Sequence, residues 1–386
     1  MKLGGLRRIL GFCRKTNKHR LPFKRALSNL LRSHRLVYTQ VGDNVKLTAG
    51  EIYFIGEKDL KSGIDTSYVK IGIVRDGAKG PRTSDERLLE HQTGNPRKLF
   101  LRNVITTPAV EEIETRVHRI FAPLRVHGEW LELTEVQYQE ALKMTSDMAI
   151  EAESSFPALE AAEALKMLTS NSLVIEAPAH VLDIWKELSL AKSVVKACGD
   201  ALDIIKSTIY QFAVQGETEG IASIQERKGR LIFDVEQFKQ ENHTLFEKYQ
   251  VDKSSWQQRF TISKTKEDSD PEQFSPGLQE LIRELEMLCL EVKTASDLVN
   301  VHSVHVQLLS REARAQWVAS LREALLKSIL GENEGFEGIC KWPRTEKTKK
   351  VLDEKKLSED HPDIFAKFLR ESETTQAIVV QPMIGY

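Results

Sequence analysis

Residues 51–56 read EIYFIG and residues 67–74 read SYVKIGIV. Both are short runs of β-branched and aromatic residues, and the Lys, Ser, Gly and Asp loop between them makes the pair a β-hairpin pattern. Downstream, SDERLLEHQ (84–92) carries acidic residues in its first turn and Leu88 and Leu89 for a core face, so it reads as a helix capped by Ser84 and ended by the TGNP turn. KLFLRNVITT (98–107) reads as a third strand. In AVEEIETRVHRIF (109–121), Val110, Glu114, Val117 and Phe121 recur at helical spacing, and GEWLEL (128–133) reads as a last short strand. The order is β-β-α-β-α-β: a small sheet with its helices on one side.

Outward from this segment the chain changes character. At 386 residues it is long enough for two or three domains, and 41% apolar with 29% charged residues is the composition of a folded globular protein. No apolar run approaches the roughly 20 residues that a membrane span needs. The four cysteines, Cys13, Cys198, Cys289 and Cys340, lie far apart with no C-x-x-C pair, so neither a disulfide framework nor a zinc knuckle is signalled and a reducing, cytoplasmic setting is expected.

The net charge of −1 hides a polarity along the chain. Residues 1–42 hold eleven Lys or Arg and no acid, whereas residues 43–150 sum to about −2 and residues 151–386 to about −10. The basic arm, 1–45, spaces its cations among Leu, Ile and Phe in a loose helical rhythm. Such a segment lays charge along phosphates and gains affinity from counterion release, with little sequence preference. Arg7, Arg8, Arg14, Lys15, Lys24 and Arg25 are the contacts expected there, joined by Arg97 and Lys98 beside the TGNP turn. An Arg-rich, acid-poor targeting peptide has the same composition.

The ordered series IYFI, VKIGI, RLLEHQTGNP, EIETRVHRIF and GEWLEL resembles the phage and fungal branch of the GIY-YIG nuclease superfamily. The resemblance implies a metal-dependent phosphodiesterase with Mg2+ (or Mn2+) as cofactor and DNA, with RNA as an alternative, as substrate. It places Tyr53 beside the attacking water. A phenol titrates near pH 10, so that role asks for a cation or metal to lower its pKa. Lys70 stands where many members have a second tyrosine, and its ammonium is a candidate for that cation. Arg87 matches the arginine that grips the scissile phosphate, which a planar guanidinium can hold by two oxygens. Glu114 matches the metal-binding carboxylate, and His118, one helical turn later on the same face, is placed to shuttle a proton. Glu129 falls where other members place an asparagine. Taken singly, Tyr53 reads as a core residue, Arg87 as a solvated helix face, Trp130 as packing and Gly72 as a close approach of strands. His91 and the TGNP turn belong to the resemblance without a derived role.

The tail is expected as a helical connector, 141–190, broken at Pro157, Pro178 and TSNS, then an internal repeat: module 1 at 191–265, a linker at 266–277 and module 2 at 278–386. Aligned on Asp234 and Asp353, the copies pair Gly220 with Gly338, Phe238 with Leu357, Phe246 with Phe365 and Tyr249 with Phe368. Each copy reads as a long helix, a β-hairpin turning at ERKG or RTEKTK, a short helix and an extended segment. LQELIRELEMLCLEVKTASDLV is expected to pair with the stretch near Trp185 to Val195. The hairpin and the segment after it weakly resemble the accessory C-terminal region of YqaJ-type phage exonucleases, which implies a phage or mobile-element setting. The acidic charge argues for protein contacts or homo-oligomerisation through the tail, with local basic turns touching DNA at most.

The fold expected is therefore α+β: a small GIY-YIG-like sheet flanked by helices, then a mostly helical tail of two modules. The function expected is endonucleolytic, with a non-catalytic nucleic-acid-binding or scaffold protein as the rival.

Overall fold

The computed structural model describes residues 47–381 apart from 77–82, 94, 217, 219 and 264–269. The basic arm, with its six expected contacts, lies outside the described residues. The chain is mixed α+β. Its first part runs β1 (Gly50–Lys58), β2 (Asp65–Arg75), α1 (Ser84–Gln92), β3 (Lys98–Thr107), α2 (Val110–Ile120), β4 (Arg125–His127), β5 (Trp130–Glu132) and α3 (Glu135–Leu165). The sheet order is β3-β1-β2-β5-β4, antiparallel throughout.

The IYFI run is apolar on both faces of β1, and that decides the layering. Ile52 and Phe54, with Val69 and Ile71 of β2, pack under α2 and α3 against Val110, Ile113, Val117 and Tyr138. Tyr53, Ile55 and Val74 point the other way and are covered by Leu88 of α1 and by Leu99 and Trp130. The helices therefore flank both faces rather than one, because a central strand with no polar side must be covered twice. Each fully buried Ile, Val or Phe among them contributes about 1.5–3 kcal/mol.

Two local expectations are corrected. The N-cap of α1 is Thr83, whose side chain and that of Glu86 form a capping box, while Ser84 is buried inside the first turn. Pro157 does not break α3, which continues to Leu165.

The tail continues through β6 (Val174–Ile175), α4 (Ala179–Ala213), β7 (Ala222–Arg227), β8 (Leu231–Phe233), α5 (Val235–Glu241), α6 (His243–Lys248), β9 (Gln250–Gln258), β10 (Thr261–Ile262), α7 (Pro271–Phe274), α8 (Leu278–Glu291), α9 (Leu298–Leu330), β11 (Gly335–Phe336), β12 (Cys340–Lys341), β13 (Arg344–Leu352), α10 (Glu354–Asp360), α11 (Pro362–Lys367), β14 (Leu369–Glu371) and β15 (Thr375–Val380). The repeat is visible in local geometry. Asp234 and Asp353 cap equivalent helices with nearly equal backbone angles (φ −82°, ψ 85° and φ −80°, ψ 81°). Their N–H groups donate to Phe368 and Tyr249, each in the opposite copy, at 2.8 and 2.9 Å.

The hairpins expected within each copy at ERKG and RTEKTK are not formed. Strands pair between copies instead: β7 with β15, β8 with β14 and β9 with β13. RTEKTK forms the first six residues of a single strand, β13. The crossing is held by an aromatic cluster drawn from both copies, Phe233, Phe238, Phe246, Tyr249, Leu357 and Phe368. Phe233 stacks on Phe365 at 4.5 Å between centroids. The apolar stripe of α8, Leu278, Leu281 and Leu285, packs beside Val194 to Ile209 of α4 and not beside Trp185, which faces the end of α9.

The long helix of the second copy also completes the first core. Ala313, Trp317, Leu321 and Ala324 of α9 join the cluster under the sheet. Trp317 Nε1 donates to Glu151 of α3 at 2.6 Å, and Arg116 of α2 donates to Gln316 at 3.3 Å.

Candidate active site

Strand register places the first half of the site. Tyr53 lies directly across from Gly72, and Ile55 across from Lys70, so the phenol and the ammonium share the α1 face of the sheet. The Tyr53 ring lies over Gly72. A Cβ there would sit 2.6 Å from Cζ of the phenol, which accounts for a glycine in the middle of a central strand. Gly72→Ala is expected to displace the ring and cost about 1–3 kcal/mol. Urea unfolding of the two proteins would measure it, and an unchanged midpoint would show that the ring is not held as described.

α1 supplies the groups that meet the phenol. The Glu51 carboxylate accepts from the Ser84 N–H at 3.1 Å and from its hydroxyl at 2.6 Å, fixing the start of the helix to β1. At the other end the Gln92 amide donates to the carbonyls of Asn95 and Arg97 (3.2 and 2.9 Å) and accepts from the Leu99 N–H at 2.8 Å. Gln92 is thus a clip that fastens the end of α1 to β3. Arg87 and His91, four apart, share one helix face. His91 Nε2 is 3.2 Å from the Tyr53 hydroxyl, and Arg87 is paired with Glu90 at 2.6 Å with its charge also bearing on the phenol.

The second half lies where β5 ends. β5 pairs with β2 only at Tyr68–Lys70. Beyond it the Ile71 N–H donates to the Glu129 carbonyl at 3.3 Å, and the Ile71 carbonyl accepts from His118 Nε2 of α2 at 3.0 Å. Glu114 lies 3.5 Å from the same His118 nitrogen. A pocket of about 450 Å³ opens at this notch, lined by Glu114, His118, Arg119, Arg125, Glu129 and, from the tail, Leu309. Arg125 donates to the His118 carbonyl at 3.2 Å.

The electrostatics join the two halves. Burial pushes the Tyr53 phenol above its ordinary value; Glu129 and Glu114 push the same way, and Arg87 opposes them. Burial lowers the imidazole of His91, and the cations of Lys70 and Arg87 lower it further. Burial alone would raise Glu129, but the bonded Lys70 ammonium, with His118 and His91 nearby, outweighs it and holds the carboxyl below the usual range. Burial also depresses Arg125, against the pull of Glu114 and Glu129.

The structure brings Tyr53, Arg87 and Lys70 together on one face and Glu114 and His118 at the adjoining notch, with Glu129 between them. It differs from expectation in two respects. Lys70 is bonded to Glu129 rather than lowering the pKa of Tyr53, which is raised. Tyr53 is 1% exposed, so the phenol is enclosed, whereas the side chains of Arg87 and Glu129 beside it reach solvent. The Nε2 proton of His118 is committed to a carbonyl, leaving its buried Nδ1 without a partner among the described residues. Arg97 is ion-paired with the buried Glu57, whereas Lys98 is exposed. Sequence reasoning missed the contact of His91 with Tyr53, the clip made by Gln92, and Arg125. The one signal was the His at i+4 from Arg87.

Among the described residues no group of three or more His, Cys, Asp or Glu side chains is gathered to hold a metal ion. What the pocket does hold is two carboxylates, Glu114 and Glu129. That donor set fits a hard divalent cation such as magnesium, which keeps several waters and completes its shell with a substrate phosphate.

Residues 50–146 match the T5orf172 domain, which is found in nuclease-like proteins of phages and mobile elements. A nuclease-like domain of this kind points to DNA as what the chain acts on. Searches of curated proteins and of solved structures returned no match. No helix among the described residues is long and apolar enough to cross a membrane.

Proposed function

We propose that this chain is a GIY-YIG-type endonuclease that hydrolyses DNA phosphodiesters with Mg2+ or Mn2+ held at Glu114, in a phage or mobile-element setting or in defence against one. The observation that carries the reading is the nearness of the Arg87–Tyr53–His91 group to Glu129 and Glu114, whose charges bear on the phenol, beside the pocket that those two carboxylates line. In this reading the phenol is a relay and not a free phenolate. As water attacks phosphorus in line, its proton passes to the Tyr53 oxygen while the phenol proton passes to neutral His91, and the opposite ester P–O bond breaks, its leaving oxygen taking a proton from solvent water. Arg87 and Arg125 hold the phosphate oxygens and offset the charge that grows in the transition state. A divalent ion bound at Glu114 supplies Lewis-acid stabilisation of the same charge. Lys70 keeps Glu129 ionised beside it.

Supercoiled plasmid is expected to convert to open circles in the presence of Mg2+ and not in EDTA. The burial of Tyr53 favours one rival, a non-catalytic DNA-binding protein on the same fold, and failure to nick in Mg2+ or Mn2+ would leave that reading standing. The relay also sets a pH dependence. Because the imidazole of His91 is depressed below its usual 6.5, it is already neutral at pH 7, and the rate should fall only as pH drops through the depressed value. His91→Gln should remove that acid limb and lower kcat about 10²-fold. A pH–rate profile with the same acid limb in the variant would take His91 out of the relay.

A further inference from the structure

Of the ribbons formed by pairing between the copies, β7–β15 and β9–β13 are related by the internal repeat and have different surroundings. In β7–β15, Ala222, Ile378 and Val380 pack onto the core formed by α4, α8 and α9. In β9–β13, the side chains from Asp252 to Ser255 and from Thr345 to Lys350 are exposed on both faces. The ribbon is pinned at its ends. Arg344 is 0% exposed and donates to the Leu168 and Gly331 carbonyls at 3.2 and 2.8 Å, and Leu352 packs against the shared aromatic cluster. What is displayed between the anchors is a two-stranded segment, about 30 Å long for nine residues a strand.

Its faces differ in charge. Register places Lys253 opposite Lys349, Ser255 opposite Lys347 and Gln257 opposite Thr345 on one face. That face has three cations and no acid, and among the described residues none of the three is in an ion pair. The other face pairs Lys350 with Asp252 and Glu346 with Trp256. Like charges directly across a strand pair destabilise it, so Lys253 opposite Lys349 is a local cost to the fold. Protection of the strand edges against aggregation needs charge of either sign and does not require acids to be kept off one face. An anion on that face resolves the repulsion.

We propose that the Lys253, Lys347 and Lys349 face of the β9–β13 ribbon binds the phosphates of duplex DNA, as a second contact separate from the pocket at Glu114. A two-stranded ribbon is narrow enough for the major groove, and lysines two apart along a strand, about 7 Å, present regularly spaced charge to a phosphate row. The acidic total of the tail does not oppose this, because the acids lie off this face. The proposal does not depend on catalysis.

The test is fluorescence anisotropy of the full chain with a labelled duplex in EDTA, over a series of salt concentrations. Lys253→Glu/Lys347→Glu/Lys349→Glu is expected to weaken binding at least about 10-fold and to make the slope of log K against log salt shallower by about 2–3, at roughly 0.9 per lost phosphate contact. Lys350→Glu, on the mixed face, should leave the slope near that of wild type. The corresponding triple Gln variant gives the same reading should the Glu variant fail to fold by circular dichroism. An unchanged affinity and slope in the triple variant overturns the proposal. So does an equal effect of Lys350→Glu, or loss only of sedimentation with phosphatidylcholine/phosphatidylglycerol vesicles. Because no cleavage is read, a catalytically inert wild type would leave this result untouched.

Discussion

Glu114→Gln is expected to fold as the wild type does and to nick plasmid about 10³-fold more slowly, a loss of about 4 kcal/mol in transition-state stabilisation. The substitution preserves the size of the side chain and its approach to His118, and it removes the carboxylate that lines the pocket and would bind the cation. Two further readouts separate loss of charge from loss of fold. The melting temperature should stay within a few degrees, because the carboxylate is not part of the core cluster. The phenol of Tyr53 should titrate lower, because Glu114 is one of the groups raising it. Equal cleavage by the two proteins, with equal dependence on Mg2+, would remove the metal from Glu114.

Arg87→Ala should lower kcat by about 10²–10³-fold, the range for loss of one preorganised donor to a developing oxyanion. Arg87→Lys should recover only part of it, since an ammonium keeps the charge and loses the planar two-point grip. The stability cost should be small. Its ion pair with Glu90 is partly solvated, and exposed pairs contribute about 0–1 kcal/mol. The phenol of Tyr53 should titrate higher in the Ala variant, because Arg87 opposes the shift from burial. If Arg87→Ala nicked as fast as wild type while that titration moved as stated, the guanidinium would be a neighbour of Tyr53 with no part in holding phosphate.

The legible part of the site was the part written in short spacings. Period two put Tyr53 and Ile55 on one face, and four-residue spacing put Glu114 with His118, so those pairs were readable from their intervals. Tyr53 and His91, 38 residues apart, meet only because Glu51 and Gln92 fasten the two ends of α1 over β1 and β3. No periodicity carries that. The failed expectation for Lys70 has the same origin: its neighbour across the strand was inferable, but its partner is Glu129 at the end of another strand.

The tail shows the distinction most clearly. By itself the sequence determined the small sheet and the order of its elements apart from β4, and it carried the self-similarity of the tail, because alternation and self-similarity are local properties of the chain. Only the tertiary structure decided which strands pair. The charged stretches ERKG and RTEKTK were expected to turn hairpins within each copy, but packing of α4 along α9 and the shared aromatic cluster bring opposite copies edge to edge. Tertiary packing likewise set α9 into the core beneath the sheet and Leu309 into the wall of the pocket. Such contacts are selected by the apolar area buried when distant helices meet, a quantity that no local window of sequence contains.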